Sequence, residues 1–520
     1  MDHKKIINII NFVRANEPRD ITVDLLETTR KQCELIKNYD LKATFLLEYD
    51  AMSDERFSNL IKSECNDNFE IGGWFEIVKP LVEKSGLIWK GRFNWDWNAN
   101  VDFSIGYSLQ ERRKIVDTFM EDFKTIFGKY PESVGSWIID AYTLEYMADK
   151  YNIVASVNCK DQWGTDGYTL WGGYYNQAYY PSRKNVFMPA QNTKNQISIP
   201  IFRMLGSDPI YQYDIGLSYE DEFVISEHQQ VITLEPVYSE GGGSAKWIQW
   251  YFDETFNNPC LSFCYAQVGQ ENSFGWNLMK EGFTYQIKFI SDMVRQGKVL
   301  VEQLRESGKW FKSHYELTPP SSLIAMKDWK ELGHKSIWYN NRFYRANFYL
   351  DKSHFRIRDI HKFDDNYEER YLKKSCKNKN FIYDTLPIID GYLWSKKSIL
   401  AGIYLIKQDN SIISLLNVKE MFVNEHDDTL RINLSTLGDN TITIVCLEDE
   451  IDVDIQNNNI KIGMELLTGV SSSIKKINRK SISYNYNNFS YLLNIKKGYI
   501  EKENDKIFFW PENGKLIFKF

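Results

Sequence analysis

The chain has 520 residues, with Lys+Arg 63 against Asp+Glu 70 and a formal net charge of -7. A nucleic-acid footprint needs a basic excess on some face, and no basic run occurs, so a generic polyanion binder is excluded. Hydrophobic residues at 43% and charged residues at 26% exclude disordered and fibrous classes, and the length predicts about two to four domains rather than one core.

In chain order, Lys4 and Lys5 run straight into an apolar strand, with no cleavable apolar leader ahead of it. No stretch of roughly 18 apolar residues follows, so a cytoplasmic protein with no membrane partner is expected. Up to about residue 330, strands are predicted at 6–13, 43–47, 69–75, 134–139, 153–157, 199–205, 231–234, 261–266 and 299–301. Apolar residues at helical spacing predict helices over 23–39, 109–127 and 282–296. Ser108 to Glu111 reads as a capping box before the second helix, and Gly128 follows its end. Strand and helix in alternation imply parallel pairing, and this number of strands favours a (β/α)7-8 barrel.

Pro319-Pro320-Ser321-Ser322 reads as a linker. Beyond it come short alternating runs at 403–406, 412–416, 441–447, 491–495, 507–510 and 516–518. Turns at Asp409-Asn410 and Gly438-Asp439-Asn440 separate them, the pattern of an antiparallel β-sandwich. The expected division is a barrel over 1–325 and a β-sandwich domain over 326–520. Seven cysteines, odd in number and scattered, read as buried free thiols; Cys260 and Cys264, without nearby histidines, make a poor metal site.

A parallel barrel carries its chemistry where strands hand over to loops at their C-terminal ends. Those ends bear Glu17, Glu76, Asp140, Asp161, Glu235 and Glu271, with Trp74, Trp137, Trp163 and Trp276 close by. Paired carboxylates do acid, base or nucleophile work, and flat indoles stack on sugar rings, so the pattern points to carbohydrate chemistry. Any one of these carboxylates is more often a cap or an ion-pair partner; their concurrence at successive strand ends carries the reading. Within the barrel the only histidine is His228, and no H-x-x-H or H-x-x-x-H pair occurs, so neither a metal nor another cofactor is expected. No G-x-S-x-G occurs, and Gly241-Gly242-Gly243 lacks a following Lys-Ser/Thr, which argues against serine chemistry and a phosphate cradle.

At these strand ends the sequence resembles the superfamily of polysaccharide deacetylases and family 57 glycoside hydrolases. Ala43-Thr-Phe-Leu-Leu47 is similar to the deacetylase "K-A-T-F-F", and Phe69-Glu-Ile-Gly-Gly-Trp74 to its "H-E-I-G-x-H". Asn16-Glu17-Pro18 and Gly73-Trp74-Phe75-Glu76 stand where that family carries its metal-binding Asp and His. Asn16-Glu17-Pro18 also resembles the family 57 "H-Q-P", Gly135 to Asp140 its "G-x-W-x-x-E", and Gln270 to Gly275 its "D-G-E-x-F-G".

The resemblance implies a metal-independent retaining glycosidase acting on a soluble oligosaccharide. It makes Asp140 the nucleophile and Glu271 the acid/base, with Glu235 as the alternative acid. Glu17, Glu76 and Asp161 would bind sugar hydroxyls, with Trp74, Trp137, Trp163 and Trp276 as stacking surfaces. A carbohydrate esterase and a catalytically inactive glycan-binding protein are the alternative readings, and a homo-oligomer is compatible with all three.

Overall fold

A computed structural model describes residues 3–520 except 65, 166, 216–229, 397, 410–411, 427, 439, 457–459 and 470–471. Cys65, His228, Asn410 and Asp439 therefore lie outside the described residues. Among the described residues eleven strands build the N-terminal part. They are β1 (Lys4–Val13), β2 (Ala43–Leu47), β3 (Phe69–Trp74), β4 (Ser133–Gly135), β5 (Ala155–Cys159), β6 (Gln162–Thr165), β7 (Tyr168–Trp171), β8 (Ala178–Tyr179), β9 (Ile201–Met204), β10 (Phe263–Val268) and β11 (Leu300–Glu302).

The main sheet has the order β10-β1-β2-β3-β4-β5-β9-β8, with β11 also on β1. Every pair from β10 to β9 is parallel. β1 is buried from Ile6 to Val13, as a parallel strand covered on both faces must be. The two ends of the sheet approach each other, and the Leu205 N–H donates to Gln267 Oε1 at 2.7 Å across the gap. The result is a mixed α/β, nearly closed barrel-like sheet, sealed there by a side chain rather than by a ladder.

The predicted helices form where their apolar faces meet this sheet. Leu25–Asn38 is capped by Asp24, and Leu109–Phe127 carries both capping-box bonds of Ser108 and Glu111 and ends on left-handed Gly128, φ 80. The third helix, Trp276–Arg295, starts ahead of the predicted 282, because Met279 in its first turn already packs into the core. Two expectations are corrected. Among the described residues the run 231–234 forms an isolated Ser207–Thr233 bridge rather than a strand, with Asp208 N–H donating to the Ile232 carbonyl at 2.9 Å and Leu234 N–H to the Gly206 carbonyl at 3.0 Å. The strand expected over 134–139 stops at Gly135, after which the chain turns out to cap the helix Ala141–Tyr151. Alternation is also broken between β5 and β9, where β6, β7 and β8 stand in place of a helix.

The C-terminal part holds two antiparallel-rich sheets, of ten and eight strands. The first begins at Ser321–Ala325, inside the predicted linker, and continues through His334–Asn340, Tyr344–Asp351 and His354–Lys362. These strands escaped the sequence reading because polar residues stand at buried positions: in Tyr344–Asp351 both Arg345 and Asn347 are buried, so the run shows neither a continuous apolar stretch nor an alternation. Between two strands of this first sheet, His354–Lys362 and Leu386–Asp390, the chain returns to the barrel. Cys376 N–H donates to the Ile105 carbonyl at 2.7 Å, Ala99 N–H donates to the Lys379 carbonyl at 2.8 Å, and Phe381–Asp384 pairs in parallel with β7. Among the described residues six cysteines are buried and unbridged, and no helix is long and apolar enough to cross a membrane.

Candidate active site

β1 hands over to Arg14, whose guanidinium turns inward across the barrel mouth. Its Nη2 donates to Glu76 Oε2 and to Glu271 Oε2, each at 3.1 Å, and Nη1 lies 3.6 Å from Glu17 Oε2. Glu76 follows β3 and Glu271 follows β10, so three strand ends meet on one cation. The Arg14 N–H donates to Asn272 Oδ1 at 3.1 Å, and Asn272 Nδ2 donates back to the Arg14 carbonyl at 2.9 Å. These bonds clamp the loop after β10 onto the end of β1. The loop gets this close only at Gly269, φ +114, where a Cβ would sit 1.9 Å from the Ile10 carbonyl oxygen.

Burial alone would weaken the Arg14 guanidinium; the surrounding carboxylates, Glu271 first and then Glu76, Glu48 and Glu17, hold it firmly charged. Burial pushes Glu271 above the ordinary carboxylate range, against the pull of Arg14 and of the Ser273 hydroxyl that donates to it. Asp102 is driven well above that range by burial and by the charge of Glu76, and Glu48 by burial and by Asp50. Glu17 goes the other way: its burial is outweighed by hydrogen bonds from Arg19, at 2.9 and 2.7 Å.

Trp95, Trp97, Phe103, Trp137 and Tyr168 wall this cleft. Trp95 lies under two cations, with the Arg14 guanidinium 4.1 Å and the Arg19 guanidinium 4.8 Å from its ring centre. Arg14 Nη1, Glu76 Oε1, Asp102 Oδ1 and Trp95 Nε1, all on residues lining the cleft, are buried without a hydrogen-bond partner in the protein. A buried polar atom left this way costs about 1–3 kcal/mol, so four around one cleft mark a place built to bind a polar group.

The other predicted residues sit elsewhere. Asp140 caps Ala141–Tyr151 and is saturated: it accepts from Thr143 N at 3.0 Å, Thr143 Oγ1 at 2.6 Å, Ser104 Oγ at 2.5 Å and Arg112 Nη1 at 2.8 Å. Asp161 lies between Arg203, at 2.8 Å, and Arg345. Glu235 is 3.4 Å from Lys160 and accepts from Thr233 Oγ1 at 2.9 Å. Trp74 is buried beneath Trp137, ring centres 5.3 Å apart. Trp163 packs edge-on against Trp171, and Trp276 opens its helix with its N–H on Thr28 Oγ1 at 3.1 Å. The structure thus gathers Glu17, Glu76, Glu271 and Trp137 and disperses Asp140, Asp161, Glu235, Trp163 and Trp276.

Among the described residues the metal-type side chains that cluster are Asp359, His361 and Asp390. Their carboxylate oxygens are already taken: Asp359 by Arg345 and Tyr213, and Asp390 by Trp171, His361, Tyr213 and two backbone N–H groups. That is a closed hydrogen-bond network rather than an open ligand set.

Arg14, Arg19, Trp95, Trp97 and Asp102 belong to the site and escaped the sequence reading. Their signals were an arginine directly after the first apolar strand and the aromatic repeat Asn94-Trp95-Asp96-Trp97. The first follows β1 directly, and the second lies in the long connection between β3 and the helix Leu109–Phe127, away from any strand end.

A scan against protein-family models finds no match, and neither does a search of curated proteins. In fold the chain is similar to solved structures, all at low sequence identity. A crystal structure from Parabacteroides distasonis, named as a candidate glycoside hydrolase/deacetylase, aligns with a TM-score of 0.55 at 14% identity, covering 74% of this chain and 91% of that one. Candidate polysaccharide deacetylases from Mycobacterium smegmatis and Pseudomonas aeruginosa align less well. Their TM-scores are 0.36 and 0.37 at 12% and 10% identity, and each alignment covers 61% of this chain and 93% of theirs.

Proposed function

We propose that the protein is a carbohydrate-active enzyme that hydrolyses a glycosidic bond with retention, using Glu76 as nucleophile and Glu271 as acid/base. One observation carries the reading: both carboxylates bond a single Arg14 nitrogen at 3.1 Å. The two bonded oxygens therefore lie no more than about 6 Å apart, which is compatible with the ~5–5.5 Å separation of retaining pairs. The nucleophile moves from Asp140, whose oxygens are all engaged, to Glu76, whose Oε1 is buried and unpartnered in the cleft.

In this scheme Glu271, kept protonated by burial, gives its proton to the leaving oxygen while a Glu76 oxygen bonds to the anomeric carbon. The C–O bond to the leaving group breaks as the glycosyl ester forms. Glu271, now a carboxylate beside Arg14, takes a proton from water; the hydroxyl attacks the anomeric carbon and Glu76 is released. Asp102 donates a hydrogen bond to a sugar hydroxyl, and Trp97 and Trp137 flank the ring. A ring that reaches both carboxylates displaces Arg19, whose side chain is 37% exposed at the rim. We assign this chemistry to residues 1–325 and an accessory role to the β-rich 326–520.

The test is to assay the full chain on nitrophenyl glycosides and on acetylated sugars, with and without chelator, and to read the first-formed anomer by NMR. Retained configuration, insensitive to chelator, is expected. An inverted product, or acetate release without glycoside turnover, overturns the reading.

A further inference from the structure

In the first C-terminal sheet, Lys362 at the end of His354–Lys362 pairs directly with Leu386 at the start of Leu386–Asp390. Between these paired ends the chain nevertheless runs through residues 363–385 and reaches the barrel. Connections longer than about 12–15 residues are uncommon in compact domains and usually carry a function. The second half of this one is anchored on the two segments that supply Asp102, Phe103 and Tyr168 to the carboxylate cleft.

The first of these segments is 99–107. Ser375 Oγ donates to the Tyr107 carbonyl at 3.0 Å and Cys376 N–H to the Ile105 carbonyl at 2.7 Å. The helical turn Ala99–Asp102 bears Asp102, and its N-cap, Asn98, makes no side-chain capping bond. The Lys379 carbonyl takes over that task, accepting from Ala99 N–H at 2.8 Å. The second segment is the hairpin of β6 and β7. Phe381–Asp384 pairs in parallel with β7 from Tyr168 to Trp171. The turn ahead of Tyr168 comes so close that a Cβ on Gly167, φ +78, would meet Asn380 Oδ1 at 2.8 Å.

One side chain joins the two segments. The Phe381 ring, buried, lies edge-on to Phe103 with ring centres 4.9 Å apart and stacks on Tyr168 with centres 5.2 Å apart. Phe103 and Tyr168 meet each other edge-on at 6.1 Å, and Tyr168 lies 6.3 Å from Trp137. Phe381 thus stands behind the aromatic wall rather than in it. Glu76 and Glu271 are placed differently, from within the barrel, by their shared bonds to Arg14. The separation of the acids is therefore independent of Phe381, whereas the wall and the turn bearing Asp102 lean on the connection that carries it.

We propose that Phe381 is a positioning residue through which the β-rich part shapes the wall of the cleft, holding Phe103 and Tyr168 in place while the neighbouring Lys379 carbonyl fixes the turn that bears Asp102. That this wall receives a sugar ring rests on the Glu76/Glu271 reading; its dependence on Phe381 does not.

The test uses the full chain as wild type, Phe381→Ala, the conservative Phe381→Leu, and Phe509→Ala as a control. Phe509 is buried in the same sheet and packs on Phe518, ring centres 5.1 Å apart. Amide hydrogen exchange is read over 99–107 and 167–171, relative to β1, whose exchange reports global opening. Relative exchange faster by on the order of tenfold in Phe381→Ala, intermediate in Phe381→Leu and as wild type in Phe509→Ala, is expected. Unchanged relative exchange in Phe381→Ala, or an equal rise in Phe509→Ala, overturns the proposal. Steady-state kinetics on a glycoside that wild type turns over give the second readout. Phe381→Ala should raise KM roughly tenfold, leave kcat within about threefold, and leave the pH limb of Glu271 in place. A lowered kcat at constant KM overturns the assignment of the wall to substrate binding. Should wild type turn over no glycoside while exchange responds as expected, the glycosidase reading falls and the positioning role of Phe381 stands.

Discussion

Glu76 and Glu271, brought from the ends of β3 and β10, meet on the same nitrogen of Arg14 at 3.1 Å each. A cation shared in this way makes each carboxylate depend on the other. The charge that Arg14 does not spend on one is available to the second, so a proton moved at Glu271 changes the hold on Glu76.

Glu76→Gln removes the attacking oxygen's charge at nearly constant volume, and turnover is expected to fall on the order of several powers of ten. Glu271→Gln should suffer as much on alkyl glycosides but less on nitrophenyl glycosides, whose leaving group departs without a proton. Steady-state kinetics on both substrate classes check the pair; equal losses on both classes in Glu271→Gln would deny it the acid role.

The pH profile carries a second expectation. In the proposed mechanism Glu271 acts as the acid, and burial raises its pKa against the pull of Arg14. Activity is therefore expected to fall as pH rises through that raised value. Ser273 donates to the Glu271 carboxylate and favours its charged form. Ser273→Ala should move the basic limb of kcat/KM to still higher pH; a shift downward would contradict the assignment.

Arg14→Met should be strongly destabilising, by about 3–5 kcal/mol, because the Glu76 carboxylate would be left buried without its cation. Adding Glu76→Gln removes that uncompensated charge and should recover part of the loss. Urea unfolding of the three proteins measures both steps, and an Arg14→Met protein as stable as wild type would refute the electrostatic account.

Asp140→Asn separates a cap from a nucleophile. Asn is a good N-cap, so capping alone predicts little change. The Arg112 guanidinium, however, is buried 2.8 Å from Asp140 and would lose its counter-charge. The expected outcome is a stability loss of about 3–5 kcal/mol with turnover per folded molecule near wild type. Abolished turnover in a stable protein would restore Asp140 as the nucleophile.

Glu369 predicts how stability varies with pH. Burial, with the charge of Asp140 adding, pushes its carboxyl from 4.5 up to about 8, against N–H donors from Val186 and Ala141. The folded state therefore keeps a proton that the unfolded chain releases. The stability this contributes is present at low pH and is lost as pH rises from about 4.5 toward 8. Glu369→Gln should flatten that slope while lowering stability near pH 5, since an amide accepts from only one of the two N–H groups. Thermal unfolding across this range decides, and a slope unchanged by the substitution would exclude Glu369 as its source.

The barrel-like sheet was legible in the sequence because its strands are buried on both faces and its helices on one. Local periodicity carries that information: Ala43–Leu47 and Leu109–Phe127 form within their predicted bounds. So was the side on which strand-end carboxylates gather, since parallel strands place their C-terminal ends on one rim. Tertiary structure alone decided which rim carboxylates meet. One reason is where a strand stops: β4 ends at Gly135, and this short ending lets Asp140 cap the next helix instead of facing the cleft. The other is which distant cation claims each acid. Arg14, Arg112, Arg203 with Arg345, and Lys160 each hold a different predicted carboxylate. Periodicity records how a residue faces its own element. An ion pair between Arg14 and Glu271 depends on two loops from opposite ends of the barrel part converging, and only the closed sheet brings them together.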